Sequence, residues 1–318
     1  MPDRLGAPLD VPVFERLALI GFGLIGSSLA RVARQKNLAR RIVAIDASDT
    51  VRARVTELGL ADTVTGDLVA GVRDADAIIL CVPVGVCGEV AEAMRAGLKP
   101  GAIVSDVGSV KGSIVTQVAP HLPEGVHFVP AHPVAGTEQS GPDAGFPTLF
   151  LNRWCIITPP EGQDPAAIAK IRAFWEGAGS MVEEMSPAHH DLVLAITSHL
   201  PHLIAYNIVG TAADLEAVTQ SEVIKFSAGG FRDFTRIAAS DPTMWRDVFL
   251  NNKDAVLEML GRFTEDLSAL QRAIRYGDGE ALFNHFTRTR AIRRSIIEIG
   301  QDSAAPDFGR QPKTDKDQ

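Results

Sequence analysis

The stretch Leu17-Ala18-Leu19-Ile20-Gly21-Phe22-Gly23-Leu24-Ile25-Gly26 places an apolar strand pattern directly before a glycine-rich turn. An amphipathic helical pattern, Leu24–Gln35, follows the turn. In a GxGxxG turn of this kind, the first glycine permits the tight bend, the second lets the backbone approach a pyrophosphate, and the third lets helix and strand pack closely. The stretch therefore predicts the strand, turn and helix of a Rossmann-like dinucleotide-binding domain, although an ordinary turn between strand and helix is the structural alternative.

Asp46 indicates which dinucleotide this turn binds. It follows the strand pattern Ile42–Ile45, twenty residues beyond Gly26. A carboxylate at this position hydrogen-bonds a ribose 2′-OH and repels a 2′-phosphate, which favours NAD over NADP. Cys81-Val82-Pro83 ends a later strand pattern and should approach the same cofactor, unless it only terminates that strand. The predicted NAD-binding residues are Gly21, Phe22, Gly23, Leu24, Ile25, Gly26, Asp46, Val82 and Pro83.

Strand and helix patterns alternate in the first part of the chain and give way to helices in the second. The predicted strands are Leu17–Ile20, Ile42–Ile45, Ala77–Val82, Ala102–Val104, His127–Val129, Trp154–Thr158 and Met181–Glu184, and helical patterns such as Leu24–Gln35, Thr50–Leu58 and Gly85–Arg95 lie between them. This alternation is typical of a mostly parallel sheet with right-handed crossovers. Later helical patterns cover Ala188–Ala213, Pro242–Arg275 and Glu280–Ile299, without a convincing strand.

The predicted fold is α/β, with an N-terminal Rossmann-like domain and a following all-α domain. We place the boundary near residue 185. The predicted segments are a flexible N-terminus (1–15), the dinucleotide-binding domain (16–185), the helical domain (186–301) and a disordered tail (302–318), whose composition is polar.

Composition excludes several classes of function. The 318 residues carry a net charge of −8, and no Lys/Arg-rich run offers a basic surface to nucleic acid or an anionic membrane. No run approaches the roughly 20 uninterrupted apolar residues of a membrane span, and residues 1–15 lack a signal-peptide core. We therefore expect a cytoplasmic protein. Cys81, Cys87 and Cys155 have no metal-ligand spacing, so we expect reduced thiols and no metal site.

Two polar, glycine-containing loops carry the candidate chemistry: Asp106–Gly112 and His132–Gly141. Each is expected to follow a strand, which is where an open α/β sheet places its working groups. His132 is a candidate base because its ordinary pKa lies near neutral pH; a structural histidine at the sheet edge is the alternative. Ser109 is a second candidate, or the N-cap of a helix beginning at Val110. Lys111 is expected to be solvated, with a contact to substrate or cofactor as the alternative.

The second half of the chain supplies further candidates. Arg236 follows Gly229-Gly230, which we expect to be mobile, and its planar guanidinium can hold a carboxylate with two hydrogen bonds. A salt bridge to Asp233 or Asp241 is the alternative. His199 and His202 would share one helix face, as in half of a metal site, but no third ligand accompanies them. Pro201 between them predicts a kink.

Several of these motifs together resemble the prephenate dehydrogenase family, which includes the arogenate and cyclohexadienyl dehydrogenases. The resemblance extends over roughly residues 15–300 and includes the glycine turn. The other motifs are Asp106-Val107-Gly108-Ser109-Val110-Lys111, His132-Pro133-Val134-Ala135-Gly136-Thr137-Glu138, Ser198-His199-Leu200-Pro201-His202 and Gly229-Gly230-Phe231-Arg232-Asp233-Phe234-Thr235-Arg236-Ile237-Ala238. It implies an NAD-dependent oxidative decarboxylation of prephenate to 4-hydroxyphenylpyruvate, of arogenate to tyrosine, or of both, in tyrosine biosynthesis.

The resemblance also implies roles for individual residues. His132 accepts the proton of the substrate's 4-hydroxyl and Ser109 orients that group, so both are catalytic candidates. The substrate-binding candidates are Arg236, His202, Thr137, Glu138 and His199, the last as a support for His202. His190 also matches a family position, but we expect it to be structural. Glu138 bears on whether the anionic cyclohexadienyl substrate is prephenate, our first expectation, or arogenate.

The family pattern further implies a homodimer formed through the helical domain. Feedback control by tyrosine stays open. Two other functions remain as alternatives. One is a β-hydroxyacid-type NAD dehydrogenase, which would use a catalytic lysine; no glycine-rich lysine helix is found around residues 165–180. The other is a non-catalytic NAD-sensing dimeric module, which would need a partner-binding segment, and none is seen.

Overall fold

The computed structural model describes residues 6–137, 139–219 and 228–298, without the side chains of 216–219 and 296–298. Its strands are β1 (Phe14–Ile20), β2 (Ala39–Ile45), β3 (Thr63–Thr65), β4 (Ala77–Leu80), β5 (Ile103–Asp106), β6 (His127–Phe128), β7 (Ala131–Pro133), β8 (Trp154–Ile157) and β9 (Met181–Glu184). The helices of the same region are α1 (Leu24–Gln35), α2 (Asp49–Glu57), α3 (Leu68–Val72), α4 (Cys87–Met94), α5 (Gly112–Val118) and α6 (Pro165–Gly177). The alternation predicted from the sequence is therefore confirmed.

The main sheet has the order β3-β2-β1-β4-β5-β6 among the described residues, and every neighbouring pair is parallel. From β1 the chain adds β2 and β3 on one side and β4, β5 and β6 on the other, so the strand order reverses between β1 and β4. The loops after these two strands therefore diverge and leave a crevice at the carboxyl edge of the sheet. The predicted Rossmann-like sheet is confirmed. The glycine turn after β1 lies at this switch point, where such sheets bind their ligands.

Alternate residues of β1 serve the two faces of this sheet. Leu17 and Leu19 belong to one apolar cluster, which includes Phe174 and Trp175 of α6, while Ala18 and Ile20 belong to another. The side-chain period of two along a strand produces this division. Because helices cover both faces, the strands are apolar on both sides, as buried parallel strands are.

A second sheet, β7-β8-β9, holds His132. Strand β7 pairs antiparallel with β8, so that His132 lies opposite Ile156, and β8 pairs parallel with β9. The predicted pair Trp154–Thr158 and Met181–Glu184 is thus confirmed. The expectation that a loop begins at His132 is wrong: this residue is inside a three-residue strand that is too short for a periodic signal and is formed by pairing with β8.

Helices make up the rest of the described chain: α7 (Pro187–Leu194), a π-helical turn (Ala195–His199), α8 (Leu200–Thr219), α9 (Gly229–Thr235), a 3₁₀ turn (Arg236–Ala239), α10 (Pro242–Asn251), α11 (Lys253–Tyr276) and α12 (Gly279–Glu298). Pro201 lacks an N–H and cannot continue a regular ladder, and the π-helical turn ends two residues before it, which agrees with the predicted irregularity. Gly229 and Gly230, expected to be mobile, form the first turn of α9.

One helical run is also apolar enough to cross a membrane by length and composition alone. It is Pro187–Leu215, with a mean hydropathy of 1.5 over its best window. Because this run carries His190, Asp191 and His199, whose side chains join the polar network described below, its composition is weak support for a membrane span.

The chain divides into two compact units, with the boundary between Met259 and Leu260. The predicted boundary near residue 185 falls between β9 and α7 and stays a prediction. Part of the predicted flexible N-terminus is hydrogen-bonded: the N–H of Leu9 donates to the carbonyl of Lys36 (2.9 Å), and β1 already begins at Phe14. The predicted tail, 302–318, lies outside the described residues.

Candidate active site

The glycine turn after β1 forms a cradle that side chains would fill. Gly21 has a φ of +95°, and a Cβ there would lie 2.6 Å from the carbonyl oxygen of Cys81; a Cβ on Gly26 would lie 2.0 Å from the carbonyl oxygen of Gly21. Around Gly23, in contrast, a Cβ would meet nothing within 4 Å. The first and third glycines are therefore required by packing, and the second faces open space where a pyrophosphate can approach.

The start of α1 and the end of β2 complete a site that fits NAD. Helix α1 begins at Leu24, and its N-cap, Gly23, offers no side-chain cap to the first N–H groups. Such uncapped N–H groups bind phosphate oxygens. Asp46 accepts hydrogen bonds from the N–H of Phe22 (2.8 Å) and of Ser48 (2.9 Å), so its carboxylate is fixed against the turn. Both oxygens keep a lone pair for a ribose hydroxyl.

Strand β4 ends at Leu80, two residues before the predicted end. Val82 packs against the turn, its Cγ1 lying 3.0 Å from the position of a Cβ on Gly21, and Pro83 is exposed at the start of a 3₁₀ turn. Burial raises the pKa of Cys81 and raises that of Cys87 to about 12, so both thiols stay protonated at neutral pH. A thiolate nucleophile at this edge of the sheet is not supported.

His132 is the first member of a chain of three buried side chains. Its Nδ1 lies 2.8 Å from Nε2 of His190, and Nδ1 of His190 lies 2.8 Å from Oδ1 of Asp191. The two rings meet edge to face, with centroids 5.0 Å apart. Strand β7 supplies His132, and helix α7 supplies the other two residues. The sequence did not predict this contact, since His190 was expected to be structural.

Burial keeps His132 neutral. It lowers the pKa of His132 well below its usual value, and the nearby positive charge of His190, Lys111 and His199 would act in the same direction. Burial also lowers the pKa of His190, against the opposing effect of Asp191. A neutral imidazole has one nitrogen free to accept a proton, as the proposed base requires.

The loop between β5 and α5 contains Ser109 and is built around a buried ion pair. Nζ of Lys111 lies 2.5 Å from Oδ2 of Asp106 and donates to the carbonyl of Ala131 (2.7 Å), and neither charged side chain is exposed. The expectation of a solvated Lys111 is therefore wrong. Its sequence position between Ser109 and Gly112 gave no sign that the β5 carboxylate and the carbonyl before His132 would enclose it.

Ser109 is half-buried and does not cap a helix. Helix α5 begins at Gly112, and its N-cap is Lys111, whose own side chain makes no capping hydrogen bond. The N-cap alternative for Ser109 is thus wrong, because the predicted helix start at Val110 is two residues too early. The catalytic role of Ser109 stays a prediction.

His199 and His202 occupy different surroundings. His199 is completely buried, its Nδ1 lies 3.1 Å from Nδ2 of Asn252, and burial lowers its pKa to about 4. His202 is partly buried; its Nδ1 donates to the carbonyl of Ser198 (2.8 Å), and its ring stacks on Trp245 at a centroid distance of 3.7 Å. His202 therefore presents its Nε2 as an acceptor. His199 lies in the interior, and its role as a support for His202 stays a prediction.

Arg236 and Thr137 are exposed. Arg236 begins the 3₁₀ turn after α9 and lies close enough to His202 for its charge to lower the pKa of that ring. The hydroxyl of Thr137 accepts from the N–H of Gln139 (3.3 Å). Glu138 lies outside the described residues. The charge of Arg236 thus acts on His202, in addition to the effect of burial on that ring.

Asp191, Asn252 and the Asp106–Lys111 pair are the site residues that sequence reasoning missed. Asp191 accepts from the N–H groups of Lys111 (2.7 Å) and Gly112 (2.8 Å), while Nδ2 of Asn252 donates to its carbonyl (2.9 Å). The available signal was a polar pair, His190-Asp191, at the start of an otherwise apolar helix. Across the described residues, no three His, Cys, Asp or Glu side chains are arranged to hold a metal ion.

A dinucleotide cradle at the switch point of a parallel sheet, together with a buried neutral histidine on the neighbouring β7, defines the class: an NAD-dependent oxidoreductase. Comparison with known proteins defines the family. A model described as the nucleotide-binding domain of prephenate dehydrogenase matches residues 29–184, and one described as its dimerization domain matches residues 186–288.

Individual relatives agree with the family models. A cyclohexadienyl dehydrogenase of Zymomonas mobilis is 44% identical over 284 residues, covering 89% of this chain and 97% of the relative. A prephenate dehydrogenase of Bacillus subtilis is 34% identical, covering 92% of this chain and 79% of the relative. The crystal structure of Aquifex aeolicus prephenate dehydrogenase in complex with hydroxyphenyl propionate and NAD⁺ superposes with a TM-score of 0.83 at 34% identity, covering 89% of this chain and 98% of that one.

The chain belongs to the prephenate dehydrogenase family. The sequence-based predictions of the family, of the enzyme class and of NAD as cofactor are confirmed. The similarity extends over both the sheet and the helical region, so the β-hydroxyacid-type dehydrogenase and the non-catalytic sensing module are set aside.

Proposed function

We propose that this NAD-dependent dehydrogenase oxidatively decarboxylates prephenate to 4-hydroxyphenylpyruvate as its first activity, and arogenate to tyrosine as its second. The single observation that carries the residue-level proposal is the neutral, buried His132, whose Nδ1 is engaged by His190. Its Nε2 is then available to a substrate hydroxyl. The relatives named for prephenate and cyclohexadienyl substrates support the choice of substrate class.

His132 acts as the base. As the 4-hydroxyl carbon is oxidised, Nε2 of His132 accepts the hydroxyl proton and the O–H electron pair forms the carbonyl. When the ring carboxylate leaves as CO₂, the electrons of its carbon–carbon bond flow to that oxygen, which takes the proton back as the ring becomes aromatic. The reaction thus neither releases nor takes up a proton overall, and His132 returns to its neutral form. Ser109 orients the same hydroxyl from the loop before α5.

Charged and polar groups of the helical region hold the substrate. Arg236 pairs with a carboxylate, and because the protein has a net charge of −8, this attraction must be local. His202 lies on the substrate side, with its Nδ1 fixed on the Ser198 carbonyl, while His199 supports it from the interior. Thr137 and Glu138 contact the side chain that distinguishes prephenate from arogenate.

NAD is held by the glycine turn, the first N–H groups of α1 and Asp46, with Val82 and Pro83 beside them. When bound, NAD accepts the hydride from the substrate carbon that carries the hydroxyl. Asp46 binds the adenosine ribose through lone pairs that the N–H groups of Phe22 and Ser48 leave free.

The second copy of this chain is the proposed partner. The region matched by the dimerization-domain model includes exposed apolar side chains on both α11 and α12, among them Ile274, Phe283 and Phe286, each more than half exposed. Burying such side chains against a symmetric copy is the usual way to remove a large apolar surface from water. The cytoplasm is the proposed location, consistent with three free cysteines.

The deciding experiment follows NADH formation at 340 nm with purified protein, NAD⁺ and either prephenate or arogenate. Turnover of at least one substrate is expected, with prephenate the faster. The His132→Asn variant should lower kcat by roughly 10²- to 10⁴-fold, the usual contribution of a general base, with little change in KM. Absence of turnover with both substrates would contradict the proposed activity, and normal kcat in the variant would remove His132 as the base.

A further inference from the structure

Two residues outside the proposed catalytic pair form a continuous path to His132. His190 is completely buried, Asp191 is 8% exposed, and each hydrogen bond between His132, His190 and Asp191 is 2.8 Å long. Three titratable groups joined in line and shielded from water are more than packing requires, since an apolar pair would fill the same space without desolvating a carboxylate.

The carboxylate decides which nitrogens carry protons. Asp191 can only accept at Oδ1 when it is ionised, so Nδ1 of His190 must donate to it. His190 is neutral because burial lowers its pKa, so its Nε2 has no proton and must accept. Nδ1 of His132 then donates to His190, and the remaining nitrogen of the neutral His132 ring, Nε2, is unprotonated.

Asp191 also fixes the loop that bears Ser109. Its two oxygens accept from the backbone N–H groups of Lys111 (2.7 Å) and Gly112 (2.8 Å), two and three residues beyond Ser109. Asn252 in turn donates to the Asp191 carbonyl (2.9 Å). One carboxylate therefore sets the backbone of the Ser109 loop and, through His190, the ring of His132.

We propose that His190 and Asp191 are positioning residues that keep Nε2 of His132 unprotonated and directed at the substrate hydroxyl, and that stabilise the ring while it holds the proton. The inference rests on the proposed function of His132 as the base. In the step concerned, the proton moves from the substrate oxygen to Nε2, the Nδ1–H of His132 stays in place, and its hydrogen bond to His190 strengthens as the ring becomes charged.

Two substitutions at His190 separate hydrogen bonding from ring packing. His190→Phe keeps a ring and removes both nitrogens, so Nδ1 of His132 loses its acceptor; His190→Gln leaves a side-chain carbonyl that can accept. We expect kcat with prephenate to fall about 10²-fold in the Phe variant, with KM changed less than about 3-fold, and to recover partly in the Gln variant. Equal losses in both variants, or a loss expressed only in KM, would contradict a positioning role.

A second measurement reads the tautomer without catalysis. In the full-length protein with ¹⁵N-labelled histidine, the ring nitrogens of His132 are assigned by the signals that His132→Asn removes. The wild type should show a protonated Nδ1 and an unprotonated Nε2 for His132, and His190→Phe should shift it toward the opposite tautomer. A wild-type His132 protonated on Nε2 would overturn the inference even if His190→Phe fails to fold.

The two proposals can fail separately. If the wild type turns over neither prephenate nor arogenate but shows the expected tautomer, the positioning by His190 and Asp191 survives and the proposed reaction fails. If the wild type is active and His190→Phe keeps wild-type kcat and tautomer, the reaction survives and the positioning role is lost.

Discussion

Nζ of Lys111 and Oδ2 of Asp106 form an ion pair 2.5 Å long in which neither side chain is exposed to solvent. Removing one partner of a buried pair leaves an uncompensated charge and costs about 3–5 kcal/mol. We therefore expect Lys111→Met to lower the free energy of unfolding by that amount, measured by urea denaturation. The carbonyl of Ala131, directly before His132, also loses its donor.

Lys99 provides the matched control for this stability prediction. Its Nζ lies 2.7 Å from Oδ1 of Asp76, a bond of similar length, but the two side chains are 38% and 30% exposed. Exposed pairs contribute roughly 0–1 kcal/mol, so Lys99→Met should change stability by no more than that. A Lys111→Met protein as stable as the Lys99→Met protein would show that Lys111 carries no buried charge.

Substitution of two glycines of the cofactor turn should affect different properties, stability for Gly26 and NADH affinity for Gly23. Gly26→Ala places a methyl group 2.0 Å from the carbonyl oxygen of Gly21 and should lower stability by about 3 kcal/mol. Gly23→Ala meets nothing in the protein, so stability should change by less than about 1 kcal/mol, while the methyl group obstructs the pyrophosphate. Its NADH affinity, measured by fluorescence titration, should fall at least about tenfold, or ~1.4 kcal/mol. Unchanged affinity would move the pyrophosphate elsewhere.

Asp46 should set the cofactor preference. Asp46→Ala removes the acceptor of the ribose hydroxyl and the charge that repels a 2′-phosphate, so the ratio of kcat/KM with NAD⁺ to that with NADP⁺ should fall about tenfold to hundredfold. Asp49→Ala, three residues away on an exposed side chain paired with Arg52, is the control and should leave the ratio unchanged. An unaltered ratio in Asp46→Ala would assign the preference to other residues.

What the sequence predicts well is what short segments determine by themselves. The turn at Gly21, Gly23 and Gly26 needs only its neighbours, and α1 was predicted from Leu24 to Gln35, as found. Asp46 follows from its place after a strand. Strands β3 and β7, each three residues long, were not predicted.

The contacts that organise the candidate site could not be predicted in this way. His132 meets His190 across 58 residues, and Asp191 meets the N–H of Lys111 across 80. Nothing local distinguishes a buried lysine from a solvated one, so the burial of Lys111 depends on where β5 and β7 come to lie. Tertiary contacts therefore assign His190 to the site, whereas the residue type alone favoured a structural role.

Arg236 should matter mainly for substrate binding. Arg236→Gln removes a guanidinium from the side of His202 and should raise KM for prephenate about 10- to 100-fold, with a smaller effect on kcat, because a charge-assisted hydrogen bond contributes about 1.5–3 kcal/mol. Arg232→Gln, an exposed arginine four residues earlier in α9, is the control and should leave KM within about 3-fold. A KM unchanged in Arg236→Gln would place the carboxylate site elsewhere.

The acid limb of the pH profile of kcat/KM should show that His132 is buried. The reactive form of His132 is neutral, and burial, with the neighbouring charges of His190, Lys111 and His199, lowers its pKa, so the ring stays neutral as the pH falls through its usual value of about 6.5. Burial also lowers the pKa of His190, His199 and His202, so none of them adds a limb above that value. We expect kcat/KM, which reports ionisation of the free enzyme, to hold its plateau through pH 6.5 and to decline only below it. An acid limb centred at or above pH 6.5, measured at constant ionic strength with prephenate and saturating NAD⁺, would mean that His132 titrates as an exposed histidine and is not held in the buried network.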